Sequence, residues 1–334
     1  MWDAMRTVKP GMASVGGDAI VTELEQLAAD LTGKESAFFI PTATNGTVLT
    51  FLNQDLRGQQ VIMEARCHIF WVEMLHVSEL AGAAPRLVRG DKFGAMPLEE
   101  VRAVINESAY GHVQRTGLVC LENSHNVCGG TILTPAYTVA MAELAHEYGA
   151  KLFLDGVRVF NSAVALGVPV HHLTAPADHA VVSLNKGLGA PLGALLCSDA
   201  EFLRGARVWA ARTGISAIHK AGIFAAAGLI ALRQMVERLA EDHKRARRLG
   251  EAIAEIDGLS VDLDTVQTNL IRVETVGLGV PALAYAEAVA RRGLAIHVME
   301  PYAFKIALSY AIGDWDVDRA IEALGQAAGE LGKE

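Results

Sequence analysis

Two short apolar runs in the middle of the chain each end at an ionisable residue that is followed by a glycine turn. Residues 152–154 lead to Asp155 in LFLDG, and residues 181–184 lead to Lys186 in SLNKGLGAPLG. Buried parallel strands deliver polar residues to the carboxyl edge of a sheet in this way. The feature therefore predicts an α/β fold with Asp155 and Lys186 at one sheet edge.

Strand-like apolar runs alternate with helical patterns on both sides of this stretch. The runs are SAFFI, VIMEA, RLVRG, GLVCLEN, KLFLDG, AVVSL and LGALLC. This alternation is typical of a mostly parallel sheet covered by helices on both faces. We therefore predict one large domain over residues 18–244.

The rest of the chain predicts a smaller unit and an arm. Runs near LSVDL, NLIRVE and LAIHVM, with a helix from about Trp315, predict a small α+β domain over residues 245–334. The alanine-rich stretch at 221–232 is expected to continue as one long helix into the charged segment after it. Residues 1–17 contain several turn formers and predict an irregular arm, which we group with the small domain.

Composition excludes several classes of function. The formal net charge is −9 with no run of Lys or Arg, which argues against a nucleic-acid surface. No stretch reaches the roughly 18 apolar residues of a membrane span, so a cytoplasmic protein is expected. The four cysteines lack metal-ligand or disulfide spacing and the histidines lack HExxH spacing, so no metal site is predicted.

Asp155 and Lys186 together suggest a cofactor. Pyridoxal phosphate (PLP) condenses through its aldehyde with a lysine amine, and its ring nitrogen stays protonated beside an ionised carboxylate. Taken singly, Asp155 could be the cap of the next helix and Lys186 a solvated side chain. The glycines after Lys186 favour a tight turn over an exposed helix face.

Four strings resemble the threonine aldolase family: FFIPTATNGT, CLENSHNVCGGT, LDGVRVFNSAVALGV and LNKGLGAPLGALL. The resemblance runs from about Gly17 to the C-terminus. It implies a PLP-dependent enzyme of the aspartate aminotransferase fold, also called fold type I. It further implies a homodimer or homotetramer with active sites at the dimer interface, and an arm packed on the small domain.

The resemblance assigns roles to residues whose sequence context leaves other roles open. It places His68, otherwise a cap or core residue, against the face of the PLP ring, and Arg158, otherwise a partner for Asp155, near the phenolic oxygen and the substrate. It places His125 near the substrate hydroxyl, as a base or orienting group. The loop with Thr42, Ala43 and Thr44 opens a helix and suits a phosphate, although it could be an ordinary cap.

The chain also departs from the family. The arginine expected to bind the substrate carboxylate is Lys305, in FKIALSY, which keeps the charge but lacks the planar fork. Glycine is usual where Ala43 stands, and His219 and Lys220 occupy the place of an expected phosphate-binding arginine.

These features lead to three hypotheses. The first is a PLP-dependent aldolase that cleaves a β-hydroxy-α-amino acid such as threonine to glycine and an aldehyde. The second is a PLP-dependent β-eliminating lyase or racemase acting on another amino acid, because the altered carboxylate site could select a different bond. The third is a relative without catalysis, against which Lys186, Asp155, His68 and Arg158 together argue.

Overall fold

The computed structural model describes residues 1–107 and 114–332, and within them seven strands form the main sheet. The strands are β1 (Ser36–Ile40), β2 (Gln60–Glu64), β3 (Ala84–Val88), β4 (Thr116–Glu122), β5 (Lys151–Gly156), β6 (His179–Ser183) and β7 (Ala194–Ser198). Their order is β1-β7-β6-β5-β4-β2-β3. Strands β2 to β6 pair in parallel, and β7 runs antiparallel to both β1 and β6. Strand β1 therefore points the same way as the parallel strands.

Helices cover both faces of this sheet. Those of the described chain are α1 (Trp2–Thr7), α2 (Ala19–Thr32), α3 (Ala43–Asn53), α4 (His68–Leu75), α5 (Leu98–Glu107), α6 (Pro135–Glu147), α7 (Val159–Leu166), α8 (His171–Thr174), α9 (Ala200–Thr213), α10 (Gly222–Gln234), α11 (Leu239–Ala254), α12 (Ala282–Ala290) and α13 (Asp314–Leu331). A π-helical turn, His76–Leu80, follows α4.

The alternation of side chains along each strand divides the large core into two layers. On β5, Leu152 and Leu154 join one buried cluster with helices α2 and α6, while Phe153 joins a second cluster with α3 and α9. Burial of the whole of β6 and β7 fits strands covered on both sides. The sheet with helices on both faces is the predicted architecture.

A second sheet forms the core of the smaller unit. In the described residues its strands are β8 (Leu270–Glu274), β9 (His297–Glu300) and β10 (Ala303–Ala307), with β10 antiparallel to both neighbours. Tyr285 and Phe304 stack in its core with ring centroids 5.4 Å apart. The predicted strand near LSVDL is not formed, since Ser260 makes an isolated bridge to Glu274 and residues after it turn into a 3₁₀ helix.

The predicted long helix is divided into α10 and α11. Helix α10 packs on α1 and α2 of the large unit, whereas α11 packs on α13 and β8 of the small one as well as on α7. Because the two helices serve different cores, the chain bends between Gln234 and Leu239. The predicted boundary between residues 244 and 245 falls inside α11.

The N-terminal arm also differs from the prediction. Residues 2–7 form α1, with an Arg6–Asp3 hydrogen bond of 3.2 Å, and Met5 packs against the large core. Further along, Lys220 donates to the Gly11 carbonyl at 3.0 Å. The arm therefore packs on α10 and the segment before it, and its residues Met1, Trp2 and Met5 also line a cavity together with Leu308 and Tyr310 of the small unit.

Candidate active site

The carboxyl ends of β1, β2, β4, β5 and β6 meet at one edge of the main sheet. The residues at or just after these ends line a cavity of about 300 Å³, and Lys305 of β10 closes it from the small unit. The residues that line the cavity include Thr42, Ala43, Thr44, His68, Glu73, Glu122, Ser124, Asn126, Asp155, Arg158, Lys186 and Lys305.

Asp155 lies at the end of the central strand β5 and is 3% exposed. Its carboxylate accepts a hydrogen bond from the Val157 N–H at 3.3 Å. Burial, followed by the nearby Glu122 and Glu73 carboxylates, raises the pKa of Asp155 well above its usual value. The residue at the cap position of α7 is Arg158, so Asp155 does not cap that helix.

Lys186 stands on a turn after β6, where its carbonyl accepts from the Gly189 N–H at 3.0 Å. Gly189 has φ +73°, a backbone conformation that favours glycine. The lysine side chain lies exposed at the mouth of the cavity, and partial burial followed by the Arg158 cation lowers its pKa. A lowered pKa makes the neutral, nucleophilic amine more accessible near neutral pH.

Helix α3 begins at the cavity with Thr42 as its cap. The Thr42 hydroxyl accepts from the Asn45 N–H at 3.2 Å, and Thr42, Ala43 and Thr44 all line the cavity. The start of a helix offers free N–H groups and the positive end of its dipole. Gly46 lets this helix approach β6, because a Cβ there would lie 2.5 Å from a methyl carbon of Val181.

His68 is the first residue of α4, and two glutamates hold it in place. Its backbone N–H donates to Glu122 Oε2 at 2.7 Å, and its ring Nε2 lies 3.8 Å from Glu73 Oε1. Both glutamates are buried. The His68 side chain is about one-third exposed, on the wall of the cavity.

Two cations, Arg158 and Lys305, also line the cavity. Lys305 donates to Asn126 Oδ1 at 2.7 Å, and Arg158 Nη1 donates to the same oxygen at 3.4 Å. Burial, followed by the Arg158 charge, lowers the pKa of Lys305 to about 8. The cavity thus carries a buried carboxyl group at Asp155 and two cations at Arg158 and Lys305.

The structure does not bring His125 to the cavity wall. Its ring is buried, with Nε2 3.1 Å from Glu64 Oε2 and Nδ1 accepting from the Cys128 N–H at 3.3 Å. Both ring nitrogens are therefore engaged behind the cavity. Burial lowers the pKa of His125, but the carboxylates of Glu122 and Glu64 and the neighbouring Cys128 outweigh it and raise the pKa well above its usual value.

His219 and Lys220 also lie elsewhere. The His219 ring Nδ1 is hydrogen-bonded to the Ser14 hydroxyl at 2.8 Å, and Lys220 donates to the Gly11 carbonyl of the arm. Sequence reasoning did not assign several polar residues of the wall to the site, among them Glu73, Glu122, Ser124 and Asn126. A signal existed for Glu122, which ends the apolar run GLVCLE with a charge, and the other three depend on how the loop and helix pack.

The cavity wall fits PLP. Within the described chain, three of its buried polar atoms have no hydrogen-bond partner: Glu73 Oε2, Ser124 Oγ and Arg158 Nε. Buried polar atoms are ordinarily paired, so these suit a polar ligand. Asp155 would complement a protonated ring nitrogen, and the start of α3 would complement a phosphate.

The sequence profile of the beta-eliminating lyase family matches residues 1–275. The chain belongs to this family. Low-specificity L-threonine aldolase 1 of Arabidopsis thaliana is 36% identical over 273 residues, covering 81% of this chain and 76% of the plant protein. The low specificity L-threonine aldolase of Escherichia coli O157:H7 is 34% identical, covering 82% and 80% respectively.

A solved structure confirms the fold. The threonine aldolase of Leishmania major superposes with a TM-score of 0.82 at 18% sequence identity, covering 98% of this chain and 95% of that one. The predictions of a fold type I architecture and of a PLP-dependent lyase of the threonine aldolase family are confirmed by these comparisons. Lys305 lies beyond the matched residues 1–275.

In residues 1–107 and 114–332, no group of three or more His, Cys, Asp or Glu side chains is placed to hold a metal ion. No helix in that part of the chain is long and apolar enough to cross a membrane.

Proposed function

We propose that the protein is a PLP-dependent aldolase that cleaves a β-hydroxy-α-amino acid, such as threonine, to glycine and an aldehyde. One observation carries this: Lys186 and Asp155 share a cavity with the cations Arg158 and Lys305. The names of the relatives favour aldol cleavage over the β-eliminating or racemising alternative.

The proposed cofactor site uses strand ends and a helix start. Lys186 supplies the amine for covalent attachment, and Asp155 supplies a fixed negative charge for the ring nitrogen. Thr42, Ala43 and Thr44 hold the phosphate at the start of α3. PLP bound there supplies an electron sink for the electrons of the cleaved Cα–Cβ bond.

Arg158 and Lys305 bind the substrate carboxylate in this proposal. Arg158 is close enough to lower the pKa of both Lys186 and Lys305, so its charge acts at the cofactor and at the substrate. Fixing the carboxylate fixes the rotation that decides which bond to Cα breaks.

His68 has two proposed roles, packing against the cofactor ring and accepting the proton of the β-hydroxyl. It is the histidine that lines the cavity among the described residues, whereas His125 faces Glu64. The buried carboxylate of Glu73 lies 3.8 Å from the His68 ring Nε2, where it orients the imidazole in this proposal.

We also propose a cytoplasmic homodimer or homotetramer with the active site at the dimer interface. The outer face of α4, next to His68, exposes Trp71 and Val72 at 65% each and Leu75 at 71%. Adjacent exposed apolar side chains of this size favour a protein partner. Light scattering coupled to size-exclusion chromatography measures the oligomeric state, and a monomer would contradict the proposal.

Aldehyde release tests the function. The PLP-loaded protein is incubated with L-threonine, L-allo-threonine and phenylserine, and aldehyde and glycine are quantified together. Equal amounts of both are expected from at least one substrate. Keto acid formation, or α-proton exchange into solvent without aldehyde, would instead support the lyase or racemase alternative.

A further inference from the structure

The two cations of the cavity wall meet at one neutral oxygen. Asn126 Oδ1 accepts from Lys305 Nζ at 2.7 Å and from Arg158 Nη1 at 3.4 Å. Lys305 comes from β10 of the small unit and Arg158 from the start of α7, so these two segments converge on the loop after β4. An amide oxygen placed there brings both cations close to one another.

Neither cation forms an ion pair with a carboxylate of the described chain. An ammonium has three N–H donors, of which Lys305 uses one here, and a guanidinium has five. The Nε of Arg158 is buried without a partner. Because partly buried cations are stabilised by an anion, the remaining donors suit a carboxylate brought by a ligand.

Asn126 is itself held firmly. Its backbone N–H donates to Glu122 Oε1 at 2.7 Å, while Glu122 Oε2 accepts from the His68 N–H at 2.7 Å. One buried carboxylate thus ties the Asn126 loop to the start of α4. Later in the same loop, Gly130 has φ +82°. Its carbonyl accepts a hydrogen bond from the Thr268 hydroxyl at 2.8 Å, and this bond anchors the loop on the small unit.

We infer that Asn126 is the positioning residue of the substrate-carboxylate site, where its amide oxygen fixes the direction of the Lys305 ammonium beside Arg158. An ammonium rotates freely about its last bond and does not define a direction as a guanidinium fork does. Holding one of its N–H bonds on Asn126 directs the other two. The inference rests on the proposed function and explains how a lysine serves there.

Two substitutions separate positioning from simple space filling. Asn126→Ala removes the acceptor, and KM for the amino acid substrate should rise about tenfold while kcat changes little. Asn126→Asp keeps the shape but places a carboxylate against both cations, where it competes with the substrate, so KM should rise about 100-fold. A space-filling role predicts the reverse order, with the isosteric Asp milder than Ala.

A readout independent of turnover comes from the lysine itself. Competitive acetylation of Lys305, followed by mass spectrometry across pH, reports its protonation. Asn126→Asp should move the half-acetylation pH of Lys305 upward, because a carboxylate partner stabilises the ammonium. Asn53→Ala is the matched control, since Asn53 donates to the Phe202 carbonyl at 2.9 Å on the far side of α3 and should leave KM and the Lys305 titration unchanged.

Glycine binding, measured by calorimetry on the PLP-loaded proteins, separates this inference from the proposed function. If the wild type binds glycine but cleaves no β-hydroxy amino acid, the proposed function fails and glycine affinity in the two variants decides the role of Asn126. Equal glycine affinity in wild type, Asn126→Ala and Asn126→Asp would overturn the inference. A wild type that binds no amino acid would overturn both.

Discussion

The end of the cavity at Asp155 and Lys186 is built from strand ends, whereas the end at Lys305 is assembled from segments far apart in the chain. Asp155 lies near the end of β5 and Lys186 on the turn after the neighbouring strand β6, and the pairing of the two strands brings both to one sheet edge. Lys305 reaches the cavity from another sheet and is placed by a hydrogen bond to the loop after β4.

The two ends of the cavity should therefore respond differently to amino-acid substitution. Strand ends in a buried parallel sheet have little freedom, so substitutions at Asp155 or Lys186 should change chemistry and leave the fold intact. The cation end depends on the direction of a flexible side chain, so substitutions there should change binding.

Replacing Lys186 should have the largest effect. Lys186→Ala removes the amine that attaches PLP, so activity should fall by roughly 10³-fold or more. Borohydride reduction of the wild type should fix the cofactor to the peptide that contains Lys186, as peptide mass spectrometry would show. Lys151→Ala, at a surface lysine paired with Asp178, is the control and should keep both properties. Labelling at another lysine would contradict the assignment.

Asp155→Asn should lower kcat by about 10²- to 10³-fold, because a neutral amide cannot stabilise the protonated ring nitrogen. The PLP-free variant should be at least as stable as the wild type. A carboxyl whose pKa is raised by folding loses stability as pH rises from its unfolded pKa to its folded pKa, and Asn avoids this loss at pH 7.

Asp178→Asn provides a control of opposite sign. Burial by itself raises the pKa of Asp178. The Leu152 N–H, Lys151 and His146 outweigh this effect and lower the pKa of Asp178 to about 2. Its ionised form therefore contributes stability above the unfolded pKa, and the variant should melt lower at pH 7 with kcat unchanged. Thermal melts of both PLP-free variants check the pair, and a destabilised Asp155→Asn would mean that Asp155 supports the fold.

The sequence predicted the strand-end half of the site better than the other half. Asp155 and Lys186 were found because an apolar run followed by a glycine turn specifies both a strand and its end. The orientation of His125 could not be found in this way, since it depends on the path of the loop between Ser124 and Thr131 and on the buried partner Glu64. The same applies to Asn126, whose partner Lys305 is distant in the sequence.

The fold shows the same division. The positions of strands and helices followed local patterns, but the bend between α10 and α11 did not, because no proline or glycine marks it. Helix α11 turns away so that its apolar face can pack on the small unit, including α13. Only tertiary packing contains that information.

The cation end should be sensitive to pH. Burial and Arg158 lower the pKa of Lys305 to about 8, so its ammonium is present below that pH and lost above it. KM for the amino acid should therefore rise as pH passes 8. Lys186 also lowers the pKa of Lys305 and Glu122 raises it, and Arg272 is its cross-strand partner on β8. His297, opposite on β9, has a pKa lowered by burial and by Lys305 and is neutral in this range.

Lys305→Arg removes the titrating group and is the matched variant. A guanidinium stays protonated, so KM at pH 9 should be about tenfold lower than in the wild type, while the two proteins differ less at pH 7. Both proteins share the titration of the substrate amino group, which therefore cancels in the comparison. Identical KM profiles from pH 6.5 to 9.5 would show that Lys305 does not bind the carboxylate.

The smallest effect on turnover is expected at His125, and His68 provides the comparison. His68→Gln removes the imidazole on the cavity wall, so kcat should fall by about 10²-fold, the lower range for general base catalysis. His125→Gln keeps an N–H donor for Glu64 behind the wall, so kcat should change by less than about threefold. His125→Ala leaves the Glu64 carboxylate buried without this partner and should lower the melting temperature.

If His125 is instead the base, His125→Gln will lose as much kcat as His68→Gln, and its pH–rate profile will lose the acidic limb. That result would require the ring to turn from Glu64 towards the substrate, and the two histidines would then act at the same end of the cavity.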